Sequence, residues 1–110
     1  MSFYMFQWRY KEAALKAMVE HPQDRSEAAR AAVEAYGGKL HHFFFAFGEF
    51  DGVAISEFPD TESATAAALT IGTGGAASAT KTTVLISTEE AVRAMEKVGT
   101  GRSGYTPPTA

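Results

Sequence analysis

The side chains in this sequence that could do chemistry are few and scattered. Two histidines, His41 and His42, stand side by side inside an apolar run, and two carboxylates, Glu49 and Asp51, follow in the next turn. Imidazole is the usual metal or haem ligand and the usual acid or base near neutrality. Neighbours in a strand point to opposite faces, so this pair is not expected to share one metal within a subunit. Glu49 and Asp51 have the residue types of an acid–base pair. An aspartate in a turn more commonly accepts a hydrogen bond from a backbone N–H two residues on, and Asp51 is read that way. Gln7 is the polar exception in the apolar segment 2–9. A buried amide left unbonded costs about 1–3 kcal/mol, so backbone, Tyr10 or a ligand carbonyl must satisfy it. The candidate ligand-binding set is therefore Gln7, Tyr10, His42 and Asp51. Arg9 and Lys81 could add positive charge for an acidic ligand, although a snorkelling surface role suits each. His21, before Pro22, reads as a surface loop residue.

Several function classes drop out. The sequence has no cysteine, which removes disulfides, thiolate metal sites and a cysteine nucleophile. Net charge is -3 with acidic and basic residues interspersed, so no electrostatic footprint for nucleic acid or an anionic membrane exists. The aromatic run Phe43–Phe47 lacks the basic companions that would make it a base-stacking platform. Gly72, Gly74 and Gly75 follow a helix, whereas phosphate-binding glycines lead from a strand into one. The first residues lack the basic-then-apolar pattern of a signal peptide, and a soluble cytoplasmic protein with no metal and no cofactor is expected.

The elements that must position these residues follow from periodicity. Segment 2–9 reads as strand, with Phe3, Met5 and Gln7 on one face and Tyr4, Phe6 and Trp8 on the other. A helical pattern over 10–20 stops at Pro22 and resumes over 24–36, ended by Gly37 and Gly38. Two strands, 39–47 and 53–58, flank the turn Gly48–Gly52 as a hairpin. Asp60 or Thr61 caps a helix over 61–73, which Gly74 and Gly75 end. Strand 78–86 follows. Ser87 and Glu90 have the spacing of a capping box that opens a last helix over 88–98.

The order is strand, helix, strand, strand, helix, strand, which predicts an α+β fold of the ferredoxin-like type with a four-stranded antiparallel sheet. Residues 1–98 form the domain. Residues 99–110 are a glycine and proline tail with no core of its own, so order there requires docking on the body or on a neighbouring subunit. Both helices cover one sheet face and leave an apolar second face bare. Packing two such faces together makes a symmetric dimer, so a homodimer or higher homo-oligomer is expected.

The stretch from Gly37 to Asp60, with the turn Gly48, Glu49, Phe50, Asp51, resembles the GYD domain family. The resemblance extends to Tyr4 and Gln7, to the segment from Lys81 to Glu90, and to Tyr105, Pro107 and Pro108. Trp8, Arg9 and the His41–His42 pair depart from the family pattern. The resemblance implies a dimeric α+β barrel. It fits a non-catalytic domain that assembles or binds a small apolar molecule. By analogy of fold alone, the alternatives are a cofactor-independent monooxygenase or isomerase acting on a small aromatic or ketide-like substrate, and haem binding through His41 or His42.

Overall fold

A computed structural model describes residues 2–100 and 104–109. Its elements run β1 (Ser2–Tyr10), α1 (Glu12–Glu20), α2 (Ser26–Glu34), β2 (Lys39–Phe45), β3 (Gly52–Phe58), α3 (Thr61–Thr73), β4 (Ala77–Leu85) and α4 (Thr88–Thr100). The strands form one sheet in the order β2-β3-β1-β4. Each neighbouring pair is antiparallel. This is the ferredoxin-like α+β arrangement that the element order predicts.

Alternation divides β1 cleanly. Tyr4, Phe6 and Trp8 are buried, and their β3 partners Ser56, Ala54 and Gly52 are buried with them. On this side α2 supplies Val33 and α3 supplies Ala64 and Ala67, while Phe58 is fully enclosed. The rings of Tyr4 and Phe6 meet Phe58 edge to face at 5.9 and 6.0 Å, a favoured aromatic geometry. Alanines let α3 lie close to the strands, which is why that helix buries small residues rather than large ones.

Helix ends follow their local chemistry. Gly37 adopts φ 76, and the Gly38 N–H donates to the Val33 carbonyl at 3.0 Å, closing α2. At Ser87 the capping box is formed, with the Glu90 N–H donating to Ser87 Oγ at 3.0 Å. Asp60 caps α3 by accepting from the Ser63 N–H at 2.7 Å. Asp24 likewise accepts from the Ser26 N–H at 2.8 Å. These backbone donors, seconded by side-chain hydrogen bonds to the same serines, hold both exposed carboxyls below their ordinary value. A carboxyl with a depressed native value stabilises the fold above its ordinary value and loses that effect as pH falls through the depressed one. Thermal melts followed by circular dichroism should therefore show an acid limb that is shallower in Asp60→Asn, which keeps the acceptor and removes the titration.

One buried polar atom in this core has no hydrogen-bond partner among the described residues: Oγ of Ser56, which is 0% exposed between Tyr4 and Leu40. An orphaned hydroxyl carries a desolvation cost. Ser56→Ala is expected to raise stability by about 1 kcal/mol, seen as a rise in Tm of roughly 4–8 °C.

The last helix differs from the others. α4 buries no residue, and Val92, Met95 and Val98 are exposed along one side. The chain has a radius of gyration of 17.9 Å, against about 13 Å for a compact domain of this size. Residues Gly104–Thr109 are irregular and exposed.

Candidate functional site

The sheet presents two surfaces, and the candidate residues divide between them. On the helix side, the end of β1 and the stem of the hairpin are stitched together. The pairing of β1 with β3 ends at Trp8 and Gly52, so the Tyr10 N–H, which faces that edge, finds no ladder acceptor there. Asp51 replaces the missing acceptor: its Oδ2 accepts from the Tyr10 N–H at 2.9 Å. The Asp51 N–H in turn donates to the Trp8 carbonyl at 2.8 Å, and its carbonyl accepts from the Ala46 N–H at 2.7 Å. Arg9 completes the clasp by donating Nε and Nη2 to the Glu49 carbonyl at 3.0 and 2.6 Å. Its guanidinium lies 5.9 Å from the centroid of the Phe50 ring.

Asp51 therefore has a structural role through a partner 41 residues away in sequence, not through its own turn. Trp8 and Arg9 belong to the same construction. The indole of Trp8 lies flat over Gly52, so close that a Cβ there would fall 2.2 Å from Cε2. Only glycine leaves room for the ring.

Above Trp8, Tyr10 and Phe43 the helices do not close completely. A cavity of about 360 Å³ opens between these rings and the helical layer, within the size range that holds small molecules. Ala14, Ala17 and Met18 of α1 form one wall. Ala28, Ala29 and Ala32 of α2 form another, and Ile71 and Thr70 of α3 close the end. Gln23 and Arg25, exposed residues on the segment joining α1 to α2, also line it and give it a polar, solvent-facing side. The opening exists because α1 buries none of its residues and packs sparsely on the rest of the chain. A backbone hydrogen bond from Lys11 to the Ala76 carbonyl at 2.8 Å fixes only its first turn.

The other surface is the bare sheet face. Phe3, Met5, Gln7, Val53, Ile55 and Leu85 lie on it half-exposed or exposed. Gln7 sits opposite Val53 on β3 and Lys81 on β4. It is half-buried rather than enclosed, because no element among the described residues covers this side, so its amide is not under the compulsion that enclosure would impose. β2 carries a bulge at His41: Leu40 pairs with Ser56 and His42 with Ile55, leaving His41 as the extra residue. A bulge sets two residues against one and re-aims the first. His41 consequently joins His42 on the bare face, where strict alternation would have separated them. His41 Nε2 lies 3.0 Å from Glu57 Oε1, with its ring 5.1 Å from Phe3. His42 is exposed and stacks on Phe44 at 6.1 Å.

Of the four residues expected to form a ligand site, Tyr10 and Asp51 come together on the helix side, and Tyr10 lines the cavity. Gln7 and His42 lie on the bare face and do not converge with them. The cavity's helical wall and polar side carry no sequence signal beyond alanine spacing. Among the described residues no group of three or more histidine, aspartate or glutamate side chains could hold a metal ion, and no helix is long and apolar enough to cross a membrane.

Comparisons with known proteins agree with this geometry at the level of fold. The crystal structure of MtbAldR superposes with a TM-score of 0.57 at 15% sequence identity, covering 78% of this chain and 52% of that one. This chain thus spans about half the length of that protein, and the likeness is one of fold alone. A search of curated proteins gave no match to the sequence. The family model for the GYD domain matches residues 4–95, from the first core residue of β1 into α4 and through the whole hairpin clasp. The chain belongs to the GYD domain family.

Proposed function

We propose that this GYD-domain protein is a cytoplasmic, non-catalytic small-molecule-binding domain that works as a homodimer. The observation that carries the binding half is the cavity over Trp8, Tyr10 and Phe43. It is walled by apolar side chains and has a polar side, the composition of a ligand pocket. Among the described residues, no nucleophile with an adjacent base lines it. Titration of the 15N-labelled protein with small aromatic compounds tests the reading. Shifts centred on the Trp8 indole and on α1 are expected, and shifts confined to the bare sheet face would overturn it.

The dimer half rests on the bare face and on α4. Four strands of this length make a face of about 20 by 25 Å, or about 500 Å², short of the roughly 800 Å² per partner of a standard interface. α4 follows β4 after two residues and buries nothing within its own chain, and its Val92, Met95 and Val98 extend the apolar surface. A second copy of the chain supplies a matching apolar face for both. Sedimentation at micromolar concentration is expected to give twice the chain mass, falling to the chain mass in Ile55→Lys. A wild-type monomer would refute the assembly.

A further inference from the structure

We infer that the ligand class of the cavity is a compact aromatic carboxylic acid, bound as its anion with the carboxylate on Arg25 and the ring system over Trp8, Tyr10 and Phe43. This inference rests on the small-molecule-binding reading above and specifies it. The floor is aromatic: Trp8 and Phe43 are 5.5 Å apart, and Trp8 and Tyr10 meet edge to face at 6.4 Å. A flat ring finds stacking partners there.

Charge decides the other end of the ligand. Among the described residues, Arg25 is the charged residue of the lining and no carboxylate lines the cavity. The acidic groups nearest in sequence are engaged elsewhere: Asp24 accepts from the Ser26 N–H, and Glu27 lies 3.7 Å from Arg30 on the exposed side of α2. Gln23 orients the guanidinium, its Oε1 accepting from Arg25 Nη1 at 3.1 Å while its Nε2 donates to the His21 carbonyl at 3.1 Å. Arginine has five N–H donors, so one bond to Gln23 leaves enough for a bidentate grip on a carboxylate. The lining hydroxyl of Thr70 is already committed to the Ala66 carbonyl and to Tyr36 Oη, at 2.9 and 2.8 Å. Little remains to satisfy a polyhydroxylated ligand.

The test compares 2-naphthoate with 2-naphthamide, which has the same ring and no charge, by NMR titration of the full-length protein at neutral pH. A charge-assisted pair predicts that the acid binds at least about tenfold more tightly. In Arg25→Gln, an exposed substitution that spares the core, the acid should fall to the affinity of the amide while the amide stays unchanged. Equal wild-type affinity for the two compounds, with shifts on Trp8 and α1, would overturn the ligand class and leave the pocket standing. An acid preference that survives in Arg25→Gln would overturn the role of Arg25. Absence of binding by either compound would remove both the ligand class and the pocket reading.

Discussion

Replacing Gly52 by alanine is expected to cost about 3 kcal/mol, the top of the usual range for overpacking, and to lower Tm by more than about 10 °C. The cause is geometric. A Cβ at position 52 would lie 2.2 to 2.6 Å from Cε2, Cζ2 and Nε1 of Trp8, all atoms of one rigid ring. A flexible chain end could swing aside at little cost, but the indole is one rigid ring, and shifting it toward the cavity would break its contacts with Phe43 and Tyr10. Gly48, at the other end of the same connection, is the control, since nothing lies within 4 Å of a Cβ built there. Gly48→Ala should stay within about 0.5 kcal/mol of wild type. If both variants melted alike, the contact between Trp8 and the hairpin stem would not be holding the loop.

Asp51→Ala should cost about 2 kcal/mol, and Asp51→Asn less than about 1 kcal/mol. In the alanine variant the Tyr10 N–H loses the Asp51 oxygen just past the point where β1 and β3 stop pairing. Asparagine keeps an oxygen at that place and gives up the charge, so the ordering of the two variants separates hydrogen bonding from electrostatics. Denaturant titrations of wild type and both variants read the difference. Were Asp51 a general base with no structural part, both would melt like wild type.

How far the sequence discloses these features depends on how local their causes are. The stripe of Tyr4, Phe6 and Trp8, the caps at Asp60 and Ser87, and the glycine that closes α2 each depend on residues a few positions apart, and periodicity reads them to within one or two residues. The strand over 39–47 is shorter in the structure, ending at Phe45, because Ala46 turns away to bond Asp51. The bulge at His41 is invisible to alternation, since it is a property of how β2 registers against β3 and not of β2 itself. The acceptor for Tyr10 is equally non-local. The cavity is harder still: it arises where α1 stands away from the sheet, and alanines that could have packed tightly line it instead.

Gln7 shows the converse error of a sound rule. Its apolar neighbours suggest enclosure, yet alternation places it on the side that no helix covers. In an assembled pair of sheets its amide would come under the constraint it escapes in the single chain.

The placement of Trp8 also gives the molecule an optical channel. It is the sole tryptophan of the chain, so indole emission comes from one known point, the floor of the cavity beneath the hairpin clasp. The emission maximum should lie toward the blue in the native protein, because water reaches little of a side chain that is 5% exposed, and move red when the clasp opens. Quenching by an aromatic guest would report events on the helix side, while contacts made by the opposite sheet face would leave the spectrum nearly unchanged. One residue, chosen by packing against a glycine, lets the two surfaces be observed separately in solution.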